Sequence, residues 1–98
     1  MQEQGGWVYI TTNKPNGVLY IGVTSKLPTR AWQHREGAIP GFTKRYNLKI
    51  LVFYEWHDEI IRAIQREKNI KSWPRAWKID LIQSMNPDWK DLYDTINS

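Results

Sequence analysis

The sequence predicts an α+β fold, and three observations lead to this prediction. Two short runs near the start and a third near the middle have the β-branched and aromatic composition of strands. Segments between and after them have helix start signals or the helical spacing of apolar residues. Strands and helices are partly segregated along the chain, which favours an α+β sandwich over a parallel sheet built from βαβ units.

The length and composition of the chain indicate one compact domain. The 98 residues are enough for one modest core, and we therefore predict a single domain over residues 1–98. The chain has no cysteine, and no apolar run approaches the ~18 residues of a membrane span. The start, MQEQGG, lacks the basic and apolar regions of a signal peptide. We therefore expect a cytoplasmic location.

Positive charge is concentrated in the first half of the sequence. Residues 1–49 hold seven Lys and Arg against two Glu, a net charge of +5. Residues 50–98 hold seven Lys and Arg against eight Asp and Glu, a net charge of −1. This asymmetry suits an anionic partner, most often nucleic acid, although an ordinary solvated surface explains it about equally well.

A β-hairpin is predicted first. Aliphatic side chains alternate with Tyr9 and Thr11, the turn signal NKPNG follows at 13–17, and alternation resumes over 18–24. Tyr9 and Tyr20 thus point away from the aliphatic face of their strands, and Gly22 leaves a gap beside Tyr20. That gap suits a ligand or another backbone. Two cross-strand tyrosines are, by themselves, more often sheet packing than catalysis.

A helix, a loop and a third strand are predicted next. Thr24 or Ser25 can cap a helix that has Pro28 in its first turn and ends near Gly37. Residues 37–47, GAIPGFTKRYN, contain turn-forming residues and predict an irregular basic loop. Residues 48–56, LKILVFYEW, are mostly apolar, β-branched or aromatic, which is typical of a central strand.

Two helices and a short segment complete the predicted fold. Asp58 fits the N-cap of a helix that extends to Trp73. Pro74 then opens another helix that ends at about Met85. Residues 86–93, NPDWKDLY, predict a turn into a short terminal segment.

Arg30 and His34 share one face of the first helix because they are spaced i and i+4. A cation beside an imidazole suits a phosphate clamp next to a proton-transfer group. An arginine that extends over the sheet beside a surface histidine is the more common arrangement. The pair alone therefore does not establish a site.

Glu67 is the sharpest anomaly in the sequence. At 100° per residue, Ile60, Ala63 and Ile64 define the apolar face of the predicted helix, and Glu67 falls near its centre. An isolated buried carboxylate costs several kcal/mol, so it should be paired, protonated or bound to a metal. Lys71 at i+4 is a structural partner, but such a pair contributes only ~0.5 kcal/mol. Functional and structural explanations are about equally supported.

These residues together resemble the signature of the GIY-YIG endonucleases. The motifs occur in the order known from that family. They are WVY with Tyr9, LYIG with Tyr20, the residue pair Arg30 and His34 on the first helix, and AIQREK with Glu67. The stretches TNKPNGVLYIGVTSKLPTRAWQHREG, PGFTKRY and REKNIKSWPRAWKIDLI are similar to small single-domain bacterial members. The resemblance extends over residues 6–93 and is much more specific than a lone Y-I-G. Its first motif departs from the family in having Trp and Val before the tyrosine, with Gly6 one position upstream.

The resemblance implies a three-stranded antiparallel sheet flanked by helices, with an active site on one sheet face. Tyr9 and Tyr20 would flank the scissile phosphate, with Gly22 leaving room for it, and one tyrosine would help to activate water. Arg30 would contact the phosphate, and His34 would assist proton transfer or orient a tyrosine. Glu67 would bind one Mg²⁺ or Mn²⁺. The implied activity is metal-dependent hydrolysis of DNA phosphodiester bonds.

Further residues are expected to contact the nucleic-acid backbone. They are Arg35, Lys44, Arg45, Tyr46, Lys49 and, from the family's late asparagine, Asn86. The expected partner is double-stranded or branched DNA, in repair, recombination or nucleic-acid turnover. We expect no second domain that reads a sequence, so targeting would come from DNA shape, a protein partner or weak intrinsic preference.

The number of acids favours one metal ion over two. A two-metal nuclease needs several clustered carboxylates, whereas the first half of the chain offers only Glu3 and Glu36. A tyrosine with an ordinary pKa near ~10 also needs nearby positive charge to act as a base at neutral pH. Two other classes remain open: a nucleic-acid-binding module that has lost turnover, and a structural protein whose aromatic residues only pack.

Overall fold

The computed structural model of the protein describes residues 5–39 and 41–96. Glu3, one of the two acids in the first half, lies outside these residues. The elements in chain order are β1 (Gly6–Thr12), β2 (Leu19–Thr24), α1 (Leu27–Arg35), α2 (Phe42–Arg45), β3 (Ile50–His57), α3 (Ile60–Ser72), α4 (Arg75–Met85) and α5 (Tyr93–Ile96). The three strands form one antiparallel sheet with helices around it, which confirms the predicted α+β fold.

The first hairpin forms as predicted and sets the sheet register. In the turn of this hairpin, the Gly17 amide donates a hydrogen bond to the Lys14 carbonyl at 2.9 Å, and Asn16 has a positive φ of 57°. Asn tolerates this left-handed conformation better than most residues. The turn places Tyr9 opposite Gly22 and Thr11 opposite Tyr20. A register shift between Ile10 and Thr11 then changes the pairing of β1 with β3.

The third strand lies at an edge of the sheet, so its predicted central position is wrong. The strand order is β2-β1-β3, and β1 is the central strand. The apolar composition of β3 has another cause, because it is covered on both faces. Val52 and Phe53 belong to the larger core, whereas Leu51 packs with residues of the opposite face.

Helices cover both faces of the sheet and divide its side chains into two cores. Helices α3 and α4 pack on the aliphatic face, and the core between them and the sheet includes Val8, Ile10, Ile21, Ala63, Ile70 and Ile82. The core between the opposite face and α1 contains Tyr9, Leu27, Ala31 and Leu51. This division follows from the alternation of side chains along β1. Among the residues described, no helix has the length and apolar character needed to cross a membrane.

The predicted side-chain helix caps do not form. Lys26 is the N-cap residue of α1, and the backbone amide of Lys26 donates a hydrogen bond to the Thr24 hydroxyl at 3.0 Å. Glu59 is the N-cap residue of α3. Asp58 instead accepts a hydrogen bond from Trp56 Nε1 at 2.8 Å, because its side chain turns back toward the end of β3. The carboxylate of Asp58 is therefore used in the strand-to-helix turn.

The basic loop contains a helical turn that composition did not predict. Helix α2 lies between Gly41, with a φ of 84°, and Asn47, with a φ of 56°. Both residues tolerate the left-handed region, so the chain can enter and leave a single helical turn within this short loop. Farther along, α4 begins after Pro74 and ends at Met85, as predicted.

Asn86 ties the end of α4 to the sheet. Its buried Nδ2 donates hydrogen bonds to the carbonyls of Val52 at 3.2 Å and Lys90 at 2.8 Å. Its Oδ1 accepts a hydrogen bond from the Lys90 amide at 3.0 Å. One amide side chain thus joins β3 to the turn that precedes α5.

Replacement of Asn86 should therefore destabilise the fold. We expect Asn86→Ala to lower the free energy of unfolding by about 3 kcal/mol, because buried backbone groups lose their partners. Urea unfolding followed by circular dichroism measures the change. The control is Asn69→Ala on the exposed side of α3, where an exposed Gln65–Asn69 hydrogen bond is lost and a change below about 0.5 kcal/mol is expected. Equal stability of the two variants would contradict this role.

Candidate active site

Three aromatic side chains from different elements meet on the α1 side of the sheet. The ring centroids of Tyr9 and Tyr20 are 6.1 Å apart, and each lies 5.4 Å from the centroid of His34. The Tyr9 hydroxyl is in hydrogen-bonding contact with His34 Nε2 at 3.0 Å. The structure therefore brings together the central strand, an edge strand and the first helix at this cluster.

Gly22 allows this meeting by leaving space for the ring of Tyr9. A Cβ atom at Gly22 would lie 2.5 Å from both Cζ and the hydroxyl oxygen of Tyr9. The expectation that Gly22 leaves room for the phosphate is therefore wrong, because the tyrosine itself fills the gap. The signal for this role was the hairpin register, which places residue 22 directly opposite residue 9.

The Tyr9 hydroxyl lies in a buried environment influenced by charges. Only 2% of the residue is exposed, and this burial raises the pKa of Tyr9 well above its ordinary value. The neighbouring Tyr20 and, more weakly, the Glu67 carboxylate also raise this pKa, whereas the Arg30 guanidinium lowers it. The two charges therefore act on the phenol with opposite sign.

His34 is held neutral at physiological pH. It is 3% exposed, and burial lowers the pKa of His34 to about 4, with a further decrease from the Arg30 charge. The backbone of Leu48 acts in the opposite direction, although Nδ1 has no partner at hydrogen-bonding geometry. A neutral imidazole protonated at Nδ1 accepts a hydrogen bond from the Tyr9 hydroxyl at Nε2.

Glu67 is partly buried and paired, as its place in the helical pattern suggested. Its side chain is 14% exposed, and its Oε1 lies 3.1 Å from the exposed Lys71 ammonium. Within residues 5–39 and 41–96, no group of three or more His, Cys, Asp or Glu side chains is arranged to hold a metal. Mg²⁺ needs fewer protein ligands when it keeps waters and shares a substrate phosphate. The single Glu67 carboxylate therefore fits an open, shared cation site and does not fit a closed protein cage.

Most of the predicted backbone-binding residues lie on an exposed segment between α1 and β3. The exposed side chains on this segment are Lys44, Arg45, Tyr46 and Lys49. The Arg45 guanidinium lies 5.6 Å from the ring centroid of Tyr46. The segment begins directly after the helix that holds His34, so its charges follow the aromatic cluster in the chain.

Arg35 is directed toward a different part of the molecule. Its guanidinium lies 4.5 Å from the ring centroid of Tyr93 and 3.9 Å from the Asp94 carboxylate. Both contacts join α1 to α5. The structure therefore gives Arg35 a packing role between two helices and does not group it with the basic loop.

Asn86 does not join the site. Its amide is buried, and both of its polar atoms bind backbone groups of Val52 and Lys90. The prediction that Asn86 contacts nucleic acid is therefore corrected to a structural role. The prediction rested on the match of Asn86 to the family's late asparagine. Only the residue type was matched, because the spacing of that asparagine from the glutamate is variable in the family.

Comparison with known proteins is consistent with this arrangement. The model of the GIY-YIG catalytic domain matches residues 5–80. A UPF0213 protein of Staphylococcus haemolyticus is 32% identical over 77 residues, which cover 79% of this chain and 93% of that protein. A UPF0213 protein of Staphylococcus saprophyticus is 33% identical over 76 residues, which cover 78% and 92% of the two chains. No solved structure matches significantly.

The matched region contains the aromatic cluster together with Arg30 and Glu67, and it excludes α5 and the end of α4. A catalytic domain of this family implies a nuclease-type function and a nucleic-acid substrate. The chain belongs to the GIY-YIG catalytic-domain family.

Proposed function

We propose that the protein is a metal-dependent endonuclease that hydrolyses DNA phosphodiester bonds beside the Tyr9 cluster. The observation that carries this proposal is the buried hydrogen bond between the Tyr9 hydroxyl and neutral His34. A cation and a carboxylate, Arg30 and Glu67, both act on that hydroxyl through space. Phosphodiester hydrolysis needs a proton acceptor and positive charge at the phosphate, and these residues can supply them.

Tyr9 and His34 act as a proton-transfer pair in this proposal. Because burial raises the pKa of Tyr9, the phenol is protonated at neutral pH and needs a proton acceptor. His34 Nε2 lies 3.0 Å away and provides that acceptor. The attacking water loses a proton to the Tyr9 oxygen as Tyr9 transfers its own proton to Nε2. The water oxygen bonds to phosphorus, the ester bond breaks, and the leaving oxygen takes a proton from solvent. His34 then releases its additional proton to solvent and is neutral again.

The remaining site residues hold the phosphate. Arg30 is half-buried, so its charge acts on the developing negative charge with less screening than at the surface. Tyr20 is also half-buried and faces the same cluster, where its hydroxyl can donate a hydrogen bond to a phosphate oxygen. Lys44, Arg45, Tyr46 and Lys49 would contact the neighbouring backbone phosphates.

Glu67 is the residue that would hold Mg²⁺ or Mn²⁺. When bound, the cation would supply countercharge to the phosphate oxygens. In the structure Lys71 neutralises the carboxylate at 3.1 Å, and its exposed ammonium can move into solvent. The same salt bridge favours a second candidate function, a nucleic-acid-binding module without turnover, because it satisfies the acid without a metal.

Loss of Glu67 or Arg30 should abolish most cleavage. We expect Glu67→Gln and Arg30→Ala each to reduce Mg²⁺-dependent cleavage by about a hundredfold or more, because countercharge at the phosphate is lost. Gel assays on plasmid, single-stranded and branched DNA measure this. Glu59→Gln at the start of α3 is the matched acid control and should remain active. Undiminished cleavage by both site variants would refute the assignment. An inactive wild-type protein that still binds DNA would support the binding module.

The proton-transfer pair should behave as one unit. We expect Tyr9→Phe and His34→Gln each to lower kcat by about a hundredfold, since either change interrupts the transfer. The double variant should lose little more than the worse single variant, because both changes remove the same step. Steady-state kinetics with Tyr54→Phe as the control measures these effects. If the loss of kcat in the double variant equals the product of the two single losses, the two residues do not act in one transfer step.

The burial of neutral His34 should make stability depend on pH. The unfolded histidine, with a pKa of 6.5, binds protons more readily than folded His34, with a pKa of about 4. Stability should therefore decrease as the pH falls from 6.5 to 4, by up to about 3 kcal/mol. Urea unfolding at several pH values measures this decrease. The decrease in stability should be smaller in His34→Gln and should persist in His57→Gln. A decrease of equal size in the wild type and in His34→Gln would refute the role of His34.

A further inference from the structure

A basic and aromatic surface lies where α3 meets α4. We define the corner surface by Lys71, Trp73, Arg75, Trp77 and Lys78. Residues 66–78 carry five Lys and Arg against a single acid, Glu67. Trp77 is 57% exposed, which is unusual for the largest apolar side chain. A positively charged surface with an exposed indole differs from an ordinary solvated helix face, which carries mixed charges.

The exposed indole rests on a well-supported base. Trp73 precedes Pro74 and takes an extended conformation, with φ −69° and ψ 151°, so α3 ends and the chain turns into α4. The Arg66 guanidinium lies 5.1 Å from the Trp73 ring centroid and donates a hydrogen bond to Glu55 at 2.8 Å. Trp77 packs edge-on against Trp73 at 6.0 Å and 72°. One indole is therefore held by the fold, and the other remains open to solvent.

The corner surface contacts Glu67, the residue proposed to hold the cation. Lys71 lies 3.1 Å from Glu67, and Lys78 Nζ donates a hydrogen bond to the Lys71 carbonyl at 3.2 Å. These contacts place Lys78 next to the helical turn that contains Glu67. The surface therefore begins within one turn of the carboxylate that would hold the cation.

The hairpin turn connects the same surface to the strand that contains Tyr20. Arg75 Nη2 donates hydrogen bonds to the carbonyls of Asn16 at 2.7 Å and Gly17 at 2.6 Å. This turn leads directly into β2 and Tyr20. These two contacts use two of the five N–H bonds that a guanidinium carries.

We propose that the corner surface binds an unpaired DNA segment that adjoins the scissile phosphate, with Trp77 stacked on a base. Lys78 and Arg75 would contact the phosphates of the same strand. An exposed indole can stack only on an accessible base face, and duplex DNA buries its base faces between neighbouring pairs. The favoured substrate class is therefore DNA with a single-stranded arm, such as a fork or flap. This inference rests on the proposed nuclease function and specifies its substrate.

Binding without catalysis tests the stacking directly. The full chain is mixed, in the presence of EDTA, with a fluorescent oligo(dT) of about 20 nucleotides or a blunt duplex of the same length, and anisotropy is measured. Trp77→Ala should weaken single-strand binding about tenfold and lower the ratio of single-strand to duplex affinity by the same factor. Trp77→Phe, which keeps an aromatic face, should recover most of the affinity. Trp32→Ala is the matched control, because Trp32 is 50% exposed on α1.

The salt dependence of binding tests the cationic part of the surface. Lys78→Gln should reduce the slope of log Kd against log salt by about 0.7 for the single strand, the value for one phosphate contact. Lys90→Gln, a change of the same kind at an exposed lysine after α4, should leave the slope unchanged. An unchanged slope in Lys78→Gln would overturn the phosphate contact.

Three outcomes separate this inference from the proposed function. Wild-type affinity of folded Trp77→Ala for oligo(dT) would overturn the inference, whatever Glu67→Gln does to cleavage. Equal weakening of single-strand and duplex binding would also overturn it and would indicate a surface for duplex backbone or for an acidic protein. Undiminished cleavage by Glu67→Gln would overturn the proposed function, while selective loss of oligo(dT) binding in Trp77→Ala would still support the corner surface. If the proposed nuclease function and the corner surface are both correct, KM for a forked substrate should rise about tenfold in Trp77→Ala.

Discussion

The contact between Tyr9 and Gly22 is the constraint on which the candidate site depends. The Tyr9 ring occupies the space beside the opposite residue, which is possible because Gly22 has no side chain. The Tyr9 hydroxyl then reaches His34 on α1. Any larger residue at position 22 would displace the Tyr9 ring and disturb its hydrogen bond with His34.

The same burial determines the protonation of the cluster. Removal from water raises the pKa of the Tyr9 phenol and lowers the pKa of the His34 imidazole, so both groups are neutral and are joined by one hydrogen bond. Charged residues remain at the margin, where Arg30 and Glu67 act on the phenol with opposite sign. A neutral, water-poor pair beside charged groups suits chemistry on an anion, because electrostatic interactions are strong there. The arrangement also makes the fold sensitive to acid, since His34 binds a proton more readily when unfolded.

Charge is distributed in space differently from its distribution along the chain. The second half of the sequence has a net charge of −1, yet five of its cations fall within residues 66–78 beside a single acid. The first half supplies the exposed basic segment before β3. Contacts of Arg75 with the hairpin turn and of Lys71 with Glu67 bring the second group of cations toward the site. Both halves therefore offer positive charge to an anionic partner.

The sequence by itself determined the features that depend on neighbours along the chain. Alternation and the NKPNG turn predicted the hairpin, and periodicity predicted α3. The family resemblance implied that Tyr9 and Tyr20 lie together, and their ring centroids are 6.1 Å apart. Tertiary structure alone decided that β1 is central, that Tyr9 occupies the space at Gly22, and that Asn86 binds backbone inside the fold. The reason is physical. Local patterns act over a few residues, whereas these outcomes depend on which distant segments come into contact and what space remains between them.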